Sequence, residues 1–260
     1  MKPKLYIASC SFGKDSIATI LLALENNEPL DRVVFAEVMF DHKRNITGEI
    51  PETIQWIKEV AIPKLESMGV RVDIVKAKDD YVSVCSRKFK TPKPNGTVYY
   101  GVQNSKPCYA NTYLKLEPIK QYYKKIGKEY DIIQYIGIAS DEPQRLKRLE
   151  GTNKVSLLAK YGYTEAMSMA KCKDYDLVNP CYSMDIRGGV GFALMRISIG
   201  IYQYEETFLN IGRLLGICII RRKAKVLFIV GHWNKSKLKW MRKRLMIDCS
   251  INWIYNKIRR

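Results

Sequence analysis

A chain of 260 residues, 47% of them hydrophobic, can bury a substantial core and fits one large α/β domain with an appendage. No apolar run approaches the roughly 20 residues a membrane-crossing helix needs, and Val226 to Val230 is far too short, so no membrane partner is expected. The formal charge of +18 suggests a nucleic-acid partner, but residues 1–189 carry a net +6 and residues 190–260 a net +12, so the excess belongs mainly to the tail. The cysteines at 10, 85, 108, 172, 181, 218 and 249 show no close pairing and follow no secretory signal. Reduced thiols and a cytoplasmic location are therefore expected rather than a disulfide framework.

In chain order, Leu5-Tyr-Ile-Ala8 reads as a short buried strand of the parallel-sheet kind. Ser9 to Ser16 forms a turn, and Ile17, Ile20, Leu21 and Leu24 recur at helical spacing until the turn-prone Asn26-Asn27. A strand, a small-residue loop and a helix in succession leave free amides at the helix start, where an anion can approach. Ser9, Ser11 and Ser16 add hydroxyls, Gly13 permits close backbone approach, and Lys14 adds a positive charge. Asp31 to Phe40 reads as a second buried strand ending in Asp41, which predicts Met39, Phe40 and Asp41 beside the loop.

Thr47 to Thr53 opens the next helix, with Pro51 in its first turn and Glu52 favourable to its dipole; Gln55 to Met68 continues it. Val70 to Val75 is a third strand, Tyr81 to Phe89 a helical stretch, and Lys90 to Asn104 a surface loop rich in Pro, Gly and polar residues. Tyr130 to Ala139 is a fourth strand. Leu157 to Tyr161, Thr164 to Tyr175 and Leu177 to Cys181 form a small helical layer, with Thr164 as a cap. The alternation of strands and helices over residues 4–140 predicts an α/β fold, a doubly wound parallel sheet with a small helical C-terminal part.

Several segments together resemble a known family. Ser11-Phe-Gly-Lys-Asp-Ser16 resembles the Ser-Gly-Gly-Lys-Asp-Ser loop of the PP-loop superfamily, the ATP pyrophosphatases and phosphoadenosine phosphosulfate (PAPS) reductases, with Phe12 where the family usually has Gly. The stretch ending in Pro51-Glu-Thr53 resembles the Pro-Glu-Thr segment after the second strand of the PAPS reductase relatives and is equally a plain helix start. Lys106 to Ile119 resembles their Arg-Trp-Cys-Thr-x-x-Leu-Lys-x-x-Pro motif through Cys108, Leu114, Lys115 and Pro118. Gly137, Asp141, Glu142 and Arg145 carry a likeness to Gly-Ile-Arg-Ala-Asp-Glu-Ser-x-Arg, although Ala139 replaces its first arginine.

The resemblance covers residues 4 to about 189. It implies a nucleotide-binding domain over 1–150 with a helical extension over 151–189. It also implies that residues 9–16 hold the sulfate or pyrophosphate of PAPS or ATP while main chain near Met39 meets the adenine. Lys14, Asp15 and Cys108 are the implied catalytic residues. The implied nucleotide ligands are Ser9, Ser11, Phe12, Gly13, Lys14, Asp15, Ser16, Met39, Asp41, Gly137 and Asp141. Mg²⁺ would neutralise a departing pyrophosphate, and relatives use a thiol donor.

Past Gly189 the likeness stops. Relatives continue with Cys-x-x-Cys-Pro-Asn, which with Cys108 and Cys172 would make a zinc or iron–sulfur site; this chain reads Val190-Gly-Phe-Ala-Leu-Met-Arg196. Joining the third base of each codon to the first two of the next permits Cys-Trp-Phe-Cys-Pro-Asn from Gly189 onward. In that frame Trp233-Asn234 forces Glu, whereas Trp240-Met241, Met246-Ile247 and Trp253-Ile254 each force Asp. We hypothesise a one-nucleotide shift at or just before Gly189–Val190, which leaves residues 190–260 as basic text out of native register.

Four functions fit these observations: a PAPS reductase-like oxidoreductase; an ATP pyrophosphatase-type adenylating sulfur- or amido-transferase; an inactive truncated relative; and a nucleic-acid-binding module using the basic tail. The C-terminal Glu-Cys-Gly-x-His of the PAPS reductases proper is missing from the sequence. Resequencing the locus is expected to show the two Cys codons in the neighbouring frame. Codons there that exclude Cys would end the frameshift reading.

Overall fold

The structure, a computed structural model, describes residues 2–86, 111–183, 217–222 and 225–230. Cys108, Lys106, the 90–104 loop and the Gly189–Val190 junction lie outside these residues. The chain divides into two compact units, Met1–Tyr81 with Tyr109–Gly191, and Val82–Cys108 with Phe192–Arg260.

The first unit is built on a five-stranded parallel sheet of β1 (Lys4–Cys10), β2 (Arg32–Glu37), β5 (Arg71–Lys76), β6 (Asp131–Ile136) and β7 (Lys154–Val155), in the order β5-β2-β1-β6-β7. Counted along the chain, the sheet order reverses between β1 and β6. In open parallel sheets, ligands sit outside the carboxyl ends of the strands at such a reversal.

The alternation of side chains across the pleat divides the core. Leu5, Ile7 and Val34 face Tyr122, Tyr123 and Ile126 of α5 (Glu117–Ile126). Ala8, Cys10, Val33 and Phe35 enter a larger cluster with Ile17, Ile20 and Leu21 of α1 (Lys14–Glu25) and with residues of later helices. Strands buried on both faces explain the continuous apolar runs. The architecture is thus α/β, a parallel sheet flanked by helices.

Several elements differ from the sequence expectation. The second strand leaves the sheet at Val38: Gly48 donates its amide to Val38 O at 2.7 Å, and the Val38 amide meets Glu49 Oε1 at 3.4 Å. The chain then forms a small antiparallel pair, β3 (Met39–Asp41) with β4 (Ile46–Thr47), where a helix opening was expected at Thr47. Helix α2 (Pro51–Trp56) starts at Pro51 as its fixed φ predicts.

That helix runs through a π turn, Ile57–Ala61, into α3 (Ile62–Ser67). Pro63 explains the change of register, because it has no N–H for the normal i→i−4 bond. A second π turn, Thr112–Leu116, likewise precedes Pro118. Helix α4 (Tyr81–Ser86) lies between β5 and the undescribed segment.

The fourth strand, β6, ends at Ile136, before the expected Ala139. A Cβ on Gly137 would lie 2.7 Å from the Asp15 carbonyl carbon and 2.8 Å from Ser16 N, so strand end and first helical turn touch through a missing side chain. After α6 (Pro143–Leu146) comes β7, too short to be visible as a strand in the sequence.

The helical layer consists of α7 (Leu157–Lys160), α8 (Glu165–Asp174) and a 3₁₀ turn at Pro180–Tyr182. Thr164 caps α8, its hydroxyl accepting the Met167 amide, as expected. In the second unit, β8 (Ile217–Arg222) and β9 (Lys225–Val230) pair antiparallel from Ile217↔Val230 to Arg222↔Lys225. Among the described residues no helix is long and apolar enough to cross a membrane.

Candidate functional site

The loop between β1 and α1 is held in shape by its own side chains. The Ser11 amide donates to Ser16 Oγ at 3.3 Å, the Cys10 thiol points at the same oxygen at 3.5 Å, and Ser16 Oγ donates to Gly13 O at 2.9 Å. The Ser16 hydroxyl therefore spends its proton and both lone pairs inside the loop. Burial pushes the Cys10 thiol up to about 11, so it stays protonated.

Phe12 has a positive φ of 54° and is fully buried, its ring edge-on to Phe35 at 5.1 Å and to Trp56 at 6.5 Å. Burying such a side chain stabilises by about 1.5–3 kcal/mol, enough to offset about 1–2 kcal/mol for left-handed backbone. The residue expected to narrow the loop is instead its anchor in the core. Its amide donates to Cys10 Sγ at 3.2 Å and its carbonyl accepts from Asn179 Nδ2 at 2.9 Å.

Gly13 caps α1 with extended backbone and no side-chain hydrogen bond. Among the described residues the amides of Gly13, Asp15 and Ser16 donate to nothing. The Lys14 amide donates to the Tyr182 hydroxyl at 2.9 Å, which leaves the phenol its own proton to give. This is a cradle of oriented donors at the positive end of a helix.

The charge around it differs from the expectation of a lysine open to an anion. Lys14 Nζ lies 3.0 Å from the Asp15 carboxylate and 2.9 Å from Glu165 Oε2. Burial alone would lower its pKa, but hydrogen bonds and charge from Glu165 and Asp15 outweigh that and raise it. Two carboxylates around one ammonium make the immediate surroundings net negative. Helix α8 is thereby pinned to α1 at both ends, since Lys171 Nζ also reaches Glu25 at 2.9 Å.

The remaining expected ligands are scattered in role. Ser9 Oγ is hydrogen-bonded to the Tyr123 hydroxyl at 2.7 Å, so it braces α5 against β1. Met39 is buried in β3, just past β2. The buried Asp41 carboxylate accepts the Lys43 and Arg44 amides at 2.9 and 3.2 Å and meets the Arg44 guanidinium at 3.4 Å, closing its own turn. Gly137 contributes close backbone approach rather than a ligand atom, and Asp141 is exposed beyond β6.

Cys172 is fully buried, its thiol donating to Lys14 O at 3.3 Å, and burial pushes it up to about 12. Among the described residues no group of three or more His, Cys, Asp or Glu side chains is assembled to hold a metal. Cys108, its expected partner, lies outside them.

Several residues at the site were not visible as such in the sequence. Asn179, Tyr182 and Glu165 reach the loop from more than 150 positions away, with no local motif to announce them. Glu49 is 4% exposed, and its carboxylate has one protein partner, the Val38 amide. Burial raises its pKa to about 7, against the opposing charge of Lys115 and the Val38 amide. Lys115, half-buried and without an ion pair, also acts on Cys10, so its charge stands near the ends of β1 and β2.

The pH dependence follows from Glu49. Below its ordinary value of 4.5 both folded and unfolded chains keep the proton, and no stability is lost. Between 4.5 and about 7 only the unfolded chain ionises, so the folded state loses stability as pH rises, and the loss is constant above that window. Glu49→Gln is expected to raise urea-unfolding stability by about 1–3 kcal/mol at alkaline pH and to change it little near the acid end of the window. Equal effects at both ends would contradict the burial argument. No protein-family model matches the chain, and no curated protein matches it.

Proposed function

We propose that this chain is an adenine-nucleotide-binding enzyme of the PAPS reductase-like, PP-loop kind, holding the sulfate or phosphate portion of its nucleotide on the loop between β1 and α1. The observation that carries this reading is the set of donors without acceptors at Gly13, Asp15 and Ser16, at the point where the sheet order reverses. The Tyr182 hydroxyl adds a further donor. An oxyanion supplies the acceptors that these groups lack, and the helix dipole favours its charge.

The pairing of Lys14 favours a second reading, ATP-dependent adenylation with release of pyrophosphate and transfer of sulfur or an amide. Asp15 and Glu165 are oxygen donors of the kind Mg²⁺ prefers, and the cation would neutralise charge on the leaving pyrophosphate. Ligand phosphates would draw Lys14 away from these carboxylates, leaving both to face the metal. The missing Glu-Cys-Gly-x-His also favours this reading over thiol-driven reduction.

Binding and product analysis with ATP and PAPS separates the two. Lys14→Ala is expected to weaken nucleotide binding by about tenfold or more, because it removes a charge-assisted contact and leaves two carboxylates unopposed. Pyrophosphate from ATP identifies adenylation, whereas adenosine bisphosphate and sulfite from PAPS with a thiol identify reduction. Binding that ignores Lys14, or affinity for neither nucleotide, would overturn the assignment.

A further inference from the structure

The buried acids near the ends of β2 and β3 are satisfied very unequally. Glu37, at the end of β2, is met by Lys58 Nζ at 2.9 Å and Lys76 Nζ at 3.2 Å. Asp41 is closed by two amides and Arg44. The Asp80 carboxylate takes the His42 amide at 2.8 Å. Glu49 is as buried as these, yet it has no ion pair, and its only hydrogen bond to the carboxylate is the long contact from Val38 at 3.4 Å. A buried carboxyl with most of its hydrogen-bonding capacity unused is costly and calls for a partner absent from the folded chain itself.

Its position says what that partner is. The β3–β4 pair carries Glu49 back onto the residue directly after β2, the strand adjacent to β1. Neighbouring strands lie about 4.8 Å apart, so the carboxyl stands roughly one strand's width from the end of the oxyanion loop. In parallel sheets of this order, an acidic group at the end of the second strand is where a nucleotide's ribose hydroxyls are held.

We infer that Glu49 is a specificity-determining residue that accepts hydrogen bonds from the ribose hydroxyls of the bound nucleotide and so selects ribonucleotides over deoxyribonucleotides. The inference rests on the nucleotide reading above and adds the sugar to it. The 2′- and 3′-hydroxyls are donors, and a carboxyl with free lone pairs is the acceptor they match. Lys115 lends nearby positive charge that favours the ionised, better-accepting form. Glu37, saturated by two lysines, does not offer the same capacity.

The test compares binding of ATP, 2′-deoxyATP and 3′-deoxyATP, each with Mg²⁺, to the full chain and to Glu49→Leu, with urea unfolding to check that the variant folds. The native chain should bind ATP about tenfold more tightly than at least one deoxy analogue, the size of one lost hydrogen bond to a charged acceptor. Glu49→Leu should bind all of them equally, at the level of the weaker analogue. Equal affinity of the native chain for all three would overturn the ribose assignment while leaving the nucleotide reading intact, and needs no variant. A preference that survives in Glu49→Leu would also overturn it. Binding of none of the three overturns the nucleotide reading and this inference with it.

Discussion

Strand β6 ends against the first turn of α1, and the contact exists because residue 137 has no side chain. A Cβ there would lie within 2.8 Å of the Asp15 carbonyl oxygen and the Ser16 nitrogen, closer than packed atoms allow. The helix start is seated on the strand end, at the reversal of strand order, and the loop before it has little room to relax. Phe12 fixes the other side of the loop by burying its ring against Phe35 and Trp56. Three backbone amides are thus presented without an internal acceptor, not by the glycine content of the loop but by what packs beneath it.

The helical layer does more than complete the core. Tyr182 takes the Lys14 amide, Asn179 takes the Phe12 carbonyl, Cys172 takes the Lys14 carbonyl and Glu165 takes the Lys14 ammonium. Residues 164–183 therefore set both the shape and the charge of a loop at the opposite end of the unit's sequence. In the ligand-free chain the ammonium is held by carboxylates instead of an anion, so binding exchanges one ion pair for another. The net effect on affinity is smaller than a free lysine would give, and a divalent cation is the natural means of improving it.

What the sequence made legible was local. The strand, loop and first helix are contiguous and carry their periodicity and glycine within about 20 residues, and Pro51 and Thr164 act on their own helices. The features that escaped are those decided elsewhere in the chain. The break of β2 at Val38 depends on Gly48 and Glu49 returning to that residue, and β7 is recognisable only because β6 offers it an edge. Phe12 read as an obstruction because the sequence does not show the space between Phe35 and Trp56. Lys14 read as free because Glu165 lies 151 positions away.

The central claim is that the amides at the start of α1 receive an oxyanion attached to adenosine, and amide-resolved NMR of the full chain titrated with ATP–Mg²⁺ and with PAPS tests it most directly. The account predicts that the Gly13, Asp15 and Ser16 amides shift saturably and downfield with at least one of the two nucleotides, with Lys14 following as Tyr182 adjusts. Saturable shifts confined to residues away from this loop, or no shift at these amides at saturating nucleotide, would contradict it.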